Sequence, residues 1–276
     1  MWMFARRPQQ FQTTVDGQNL TFEIPRPAKR NSVFVFSLHK AGSTLLNKIV
    51  GQASRQCGLP TLNIPNQSVQ QGVMENRLTQ QAVGPVFMQD GYAFGGFRAP
   101  YDFVPREALN GRRKVLLVRD PRDMMVSLYF SVRFSHAIPP TGEARRRYVA
   151  IRNESSTIDI DDFVLSDRCR FLANNYRAYK PLIDKDWRVF RYEDVIFSKR
   201  KWVYDIASHL GLELKEDRLN RIADQNDVRP SDERPNEHIR QVTPRNHLKY
   251  LKPETISALN VLLADILEQY EYELAY

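Results

Sequence analysis

The chain is 276 residues long, with 42% hydrophobic residues, 26% charged residues and a formal net charge of +8. Such a chain can bury a core of its own, which excludes the disordered and collagen-like classes. Two isolated cysteines, Cys57 and Cys169, exclude a disulfide scaffold, and no apolar run is long enough for a membrane span or a signal-peptide core. The expectation is a cytoplasmic protein with no membrane partner.

Residues 1–30 read as an N-terminal extension, in which Val15-Asp-Gly-Gln-Asn-Leu20 predicts a hairpin turn and Pro25 and Pro27 a linker. Residues 31–276 show no repeat and read as a single domain. Their first element is Val33-Phe-Val-Phe-Ser-Leu-His-Lys-Ala-Gly-Ser-Thr-Leu-Leu46, a continuous apolar strand running into a tight turn and then a helix. Gly42 lets a backbone approach an anion, the helix start offers open N–H groups, and Lys40 adds a full charge beside them. This is a phosphate cradle without the Walker A order, because the lysine precedes the glycine.

Leu45, Leu46, Ile49, Val50, Ala53 and Cys57 continue the helix to a stop at Gly58. Residues 59–84, rich in Gln and Asn, predict irregular or short helical structure over a cleft. Ala93–Arg98 and Lys114–Val118 predict strands, and Pro121 opens a helix with Asp120 as its cap. The stretch 135–157, with Pro139-Pro140-Thr-Gly142 and Arg145-Arg146-Arg147, predicts a surface excursion or lid. Helices are expected over 158–165, 170–179 and 199–210, a strand over 188–192, and a final helix over 253–270. Residues 226–247, rich in Pro, Asn and Arg, predict a loop that closes over something. Strands alternating with helices give a three-layer α/β/α chain with a mainly parallel central sheet.

In such sheets ligands sit outside the carboxyl ends of the strands, where Lys40 and Arg119 both fall. Lysine and arginine are spread along the chain rather than gathered on one element, which argues against a nucleic-acid partner. Each candidate also has a plainer explanation. Lys40 could be a solvated turn lysine, Arg119 and Asp120 a strand-end ion pair, Ser127 a helix-bonding hydroxyl and Tyr192 a packing residue.

Lys40-Ala-Gly-Ser-Thr-Leu45, Arg119-Asp-Pro-Arg-Asp with Ser127 eight positions on, and Arg191-Tyr-Glu-Asp194 stand in an order that resembles the sulfotransferase family. That family uses 3'-phosphoadenosine-5'-phosphosulfate (PAPS). The resemblance implies the P-loop NTPase-like sulfotransferase fold and sulfuryl transfer to a hydroxyl or amine of a small-molecule acceptor, leaving 3',5'-ADP (PAP). It implies no metal. It places Lys40, Ala41, Gly42, Ser43, Thr44 and Leu45 at the 5'-phosphosulfate, Arg119 and Ser127 at the 3'-phosphate, and Tyr192 at the adenine end. Lys40 would also stabilise the leaving oxygen.

The family's histidine base is matched here by Arg98, which stays protonated. The base is therefore open among Asp90, Asp102, His136 and His39, with Asp90 as the catalytic candidate. The family's C-terminal loop over the 3'-phosphate is matched by Arg240, with Arg245 beside it, but without its glycines. A P-loop kinase and a non-catalytic nucleotide- or nucleic-acid-binding protein are the alternatives. Monomer and homodimer both stay open.

Overall fold

Val33–Ser37 and Lys114–Val118 are buried at every position, and Ala93–Phe97 at nearly every one. That is the pattern of strands covered on both faces. The computed structural model describes residues 8–135, 138–227 and 243–274. In chain order the strands are β1 (Gln9–Val15), β2 (Gln18–Ile24), β3 (Val33–Ser37), β4 (Thr61–Leu62), β5 (Ala93–Phe97), β6 (Lys114–Val118) and β7 (Trp187–Arg191). The last five form one parallel sheet in the order β4-β5-β3-β6-β7. β3 is flanked on each side by a later strand, so its carboxyl end lies at the topological switch point.

The helices are α1 (Ser43–Gln56), α2 (Ile64–Gln70), α3 (Gln80–Phe87), α4 (Arg106–Leu109), α5 (Pro121–Phe130), α6 (Gly142–Thr157) and α7 (Ile160–Val164). They continue as α8 (Asp167–Tyr179), α9 (Tyr192–Val195), α10 (Lys199–Leu210), α11 (Glu216–Gln225), α12 (Asn246–Tyr250), α13 (Pro253–Leu262) and α14 (Ala264–Gln269). α1 packs on β3 and β5 beside α10 and α11. Phe36, pointing away from Val35 by strand alternation, meets Tyr179 of α8 edge-on with ring centroids 5.9 Å apart. The sheet is thus a middle layer between helices. Among the described residues no helix is long and apolar enough to cross a membrane.

β1 and β2 form the expected hairpin, with Asp16 and Gly17 at φ 48° and 77° in its turn. The hairpin is docked: Leu20 and Phe22 are fully buried, and the Gln67 and Gln71 side chains bond the backbone of Glu23 and Thr21.

Gly95 and Gly96 set the edge that faces the site. Asn47 of α1 accepts the Gly96 N–H at 3.0 Å, and a Cβ on Gly95 would lie 2.4 Å from that same oxygen. A Cβ on Gly96, at φ +88°, would lie 2.0 Å from the Asn63 oxygen, which caps α2 by accepting the Asn66 N–H. The pairing of β3 with β5 shifts register here, between Phe34 and Phe36. Gly96→Ala should therefore lose the α2 cap and add backbone strain, costing roughly 2–3 kcal/mol in urea denaturation. Asn63→Ala alone should cost about 1 kcal/mol.

Three expectations change. The surface excursion over 135–157 contains a regular helix, α6, because Ala144, Tyr148 and Ile151 lie at helical spacing and turn inward. The single final helix breaks at Leu263, whose φ −111° and ψ 9° leave the helical region. Tyr192 starts the short α9 rather than ending β7. Most of the closing loop expected over 226–247 lies outside the described residues.

Candidate active site

The turn after β3 is shaped by two residues on the left-handed side of backbone space. Lys40 has φ 56° and Gly42 φ 95°, and the Ala41 N–H closes the bend onto the Leu38 carbonyl at 3.2 Å. Glycine suits position 42 because φ 95° is a conformation side-chain-bearing residues rarely adopt, and a Cβ there would also crowd ring carbons of Tyr192 at 3.2 and 3.3 Å. α1 begins at Ser43, and the N–H groups of its first turn have no intrahelical acceptor. Ala41 is fully buried and contributes backbone only. Gly42, Ser43, Thr44 and Leu45 line a cleft of about 680 Å³ together with Lys40.

Arg119, at the end of β6, opens on the same cleft. Its Nη1 donates to the Lys40 carbonyl at 3.1 Å, and its guanidinium carbon lies 4.8 Å from the centre of the Tyr192 ring. One arginine thereby ties together the ends of β3, β6 and β7. Burial alone would lower its pKa, but the Asp123 charge, with those of Tyr192 and Glu193, outweighs burial and raises it. Its Nε is buried without a partner among the described residues, so donors remain for an anion.

The Arg119-Asp-Pro-Arg-Asp123 stretch divides into two jobs. Arg122 is buried against Asp120 and Asn260 and braces the C-terminus through the Glu273 carbonyl. Asp123, fully buried, lies 3.7 Å from Arg119. It also accepts the N–H groups of Arg245 at 2.7 Å and His247 at 2.9 Å, and the His247 ring at 2.7 Å. Burial would raise the Asp123 pKa, yet the His247 hydrogen bonds and the Arg119 charge hold it below the ordinary value. Ser127, one turn further along α5, lines the cleft.

The base candidates separate by position. Asp90 precedes β5, so it sits at the amino end of the sheet, where it accepts the Ser32 N–H at 3.0 Å and pairs with Arg112 at 3.1 Å. It does not line the cleft, and its candidacy as the base is corrected: it holds strand starts together. His39, Asp102 and Arg98 do line it. His136 and Arg240 lie outside the described residues. Arg245, with φ 64°, turns its guanidinium to Glu273 at 3.2 Å instead of the cleft.

Two cleft residues carried no signal in the sequence. Glu75, in a short 3-10 turn, is 7% exposed, accepts the Tyr101 hydroxyl at 3.2 Å and leaves Oε2 without a partner among the described residues. Asn226, at the end of α11, donates to Gln52 and to the Ile222 carbonyl, while its own oxygen is buried and unpartnered among those residues.

Fold and cleft together define a P-loop-like α/β protein with cations at neighbouring strand ends around one tight turn that opens a helix. The chain belongs to the sulfotransferase domain family, whose model matches residues 30–229. It is a sulfotransferase, an enzyme that moves a sulfuryl group. Among solved structures, mouse sulfotransferase SULT7A1 complexed with PAP is similar at 15% identity, with 89% of this chain and 86% of that one covered and a TM-score of 0.50. Retinol dehydratase complexed with androsterone and the inactive cofactor PAP is 15% identical, with 91% and 84% covered and a TM-score of 0.51. Retinol dehydratase with retinol and PAP is 16% identical over the same shares, also at 0.51. At such identity the likeness concerns the fold. No curated protein matches the chain.

Proposed function

We propose that this sulfotransferase uses PAPS to sulfate a hydroxyl or amine of a small-molecule acceptor with an apolar body, releasing 3',5'-ADP. The observation that carries it is the single cleft shared by Lys40 and Arg119, with Arg119 bonded to the Lys40 carbonyl. PAPS supplies, when bound, the sulfuryl group and a phosphate leaving group. The open N–H groups of α1, with the Ser43 and Thr44 hydroxyls, hold the 5'-phosphate, and Lys40 neutralises charge gathering on the leaving oxygen. Arg119 and Ser127 hold the 3'-phosphate, and the spare Arg119 donors fit it. Tyr192 sits under the turn and supports both the turn and Arg119. The unpartnered Asn226 oxygen suits an adenine amino group at the cleft's far end.

For the acceptor, the aromatic wall of Tyr101, Phe103, Phe130 and Phe171 supports an apolar body. Androsterone and retinol, bound by the similar retinol dehydratase, are bodies of that kind. Residues 31–276 form one sulfotransferase domain in this proposal, with residues 1–30 as an extension, and the compartment is the cytoplasm.

The test is incubation with radiolabelled PAPS and an acceptor panel, reading labelled product and 3',5'-ADP. PAP should also raise the melting temperature, by an amount equivalent to about 2.7 kcal/mol at a hundredfold excess over its Kd, whereas ATP should leave it nearly unchanged. A larger shift with ATP and Mg²⁺ would favour a kinase, and neither label transfer nor a PAP shift would remove the proposal.

A further inference from the structure

Arg98 stands just past β5, on the strand next to the one that carries the Lys40 turn. It is half-buried and lines the cleft, yet it makes no hydrogen bond or ion pair with any described residue. Arg147, on α6, lines the same cleft and is likewise without one among those residues. Both guanidinium charges reach one hydroxyl. Burial and the Glu75 charge push the Tyr148 pKa up, while Arg98 and Arg147 pull it down. Glu75 is the nearby carboxylate, but it forms no ion pair with either arginine and spends one oxygen on Tyr101. Two cations and one carboxylate therefore act on the Tyr148 hydroxyl, and Arg98, Arg147, Lys48 and Arg168 outnumber Glu75 and Asp102 on the cleft lining around them. Arg98 is half-buried and Arg147 exposed at the rim of the cleft. A guanidinium partly removed from water without a partner, as at Arg98, is costly, and an oxyanion is the group its forked donors match.

We propose that the acceptor carries, besides its nucleophile and its apolar body, an oxyanionic group that Arg98 and Arg147 bind. This deepens the reading above and rests on it, since it assigns the acceptor half of the same cleft. The donor's phosphates are accounted for by the Lys40 turn and Arg119 at neighbouring strand ends. Arg147 comes from α6, a separate element beside the aromatic wall, so the pair addresses the second substrate.

Matched acceptors test it: 4-hydroxyphenylpropionate against its methyl ester and its nearly isosteric amide, which keep the phenol and the chain but lack the negative charge at the other end. Binding to the protein–PAP complex is read by calorimetry, and kcat/KM is read with PAPS. The acid should bind about 10- to 100-fold more tightly than the ester, the range of a charge-assisted contact, and the gain should appear in KM. Arg98→Ala and Arg147→Ala should each narrow that ratio. Arg98→Glu should reverse it, favouring the cationic phenol tyramine over the acid. The PAP thermal shift, measured on each variant, reports whether the donor half and the fold persist. Acid and ester bound equally by wild type, with PAP still bound, would overturn the oxyanion site alone. A variant that loses PAP binding as much as acid binding would reassign Arg98 to the donor and overturn it too. Absence of both PAP binding and label transfer would overturn the sulfotransferase reading of the cleft, and this proposal with it.

Discussion

Lys40→Ala should lower kcat by about a hundred- to a thousandfold while weakening PAP binding only a few fold. Removing one preorganised contact to a charge that develops in the transition state costs roughly 3–4 kcal/mol of barrier. Sulfuryl transfer, like phosphoryl transfer, asks the protein mainly for in-line positioning and charge relief at the leaving oxygen. The turn presents Lys40 from a left-handed backbone position, φ 56°, with its carbonyl pinned by Arg119 at 3.1 Å, so the backbone that carries the ammonium into the cleft is already set without the nucleotide. Arg119→Ala should behave differently. It removes a forked contact to a distant phosphate and should weaken PAP by about 10- to 100-fold, with a smaller fall in kcat. Single-turnover kinetics with calorimetry on both variants separates the two roles. Equal losses of binding and of rate from the two substitutions would show that the division between transfer and anchoring is wrong. Lys40→Arg should recover little, because a planar guanidinium cannot take the place of a compact ammonium at one oxygen.

The sheet was legible because its strands carry their burial in their composition. Val33–Ser37 and Lys114–Val118 are apolar almost without interruption, and each is followed within a few residues by a tight turn or a proline-opened helix. The Lys40 turn and Arg119 were legible for the same reason, since a residue just after a parallel strand must lie at the ligand edge. The same rule, applied to Asp90, would have excluded it: a residue just before β5 lies at the opposite edge, with Ser32 and Arg112. α6 was hidden by its flanks. Pro139-Pro140 and the three consecutive arginines mask an inward face whose only apolar or aromatic members are Ala144, Tyr148 and Ile151, with the polar Ser155 buried beside them. Glu75 and Asn226 were not legible at all. Their significance lies in oxygens left without partners at the cleft, which depends on how remote elements meet and has no local pattern.

Asp123→Ala should be the most destabilising single substitution near the cleft, lowering unfolding free energy by about 3–5 kcal/mol, the cost of stranding a buried charge. Asp123 is fully buried, and its two oxygens receive three hydrogen bonds from Arg245 and His247 and face Arg119 at 3.7 Å. Taking it away leaves Arg119 without that counter-charge and releases the chain entering α12, so PAP binding should fall along with stability. The pH dependence gives a second readout. Hydrogen bonds from His247 and the Arg119 charge, acting against burial, hold the Asp123 carboxyl below its ordinary pKa. A carboxylate of lowered pKa adds stability that is fully present above its unfolded value and is lost as pH falls through the folded one. Wild type should therefore lose stability on acidification below the ordinary aspartate range, and Asp123→Ala should show a flatter acid limb from a lower starting point. Asp123→Asn keeps the shape and one acceptor oxygen but not the charge, so it should fall between the two. Urea denaturation of the three proteins from neutral pH into the acid range decides it. If Asp123→Ala melts like wild type and keeps the same acid slope, the Asp123 network does not support Arg119, and the anchoring of the donor's far end must come from elsewhere.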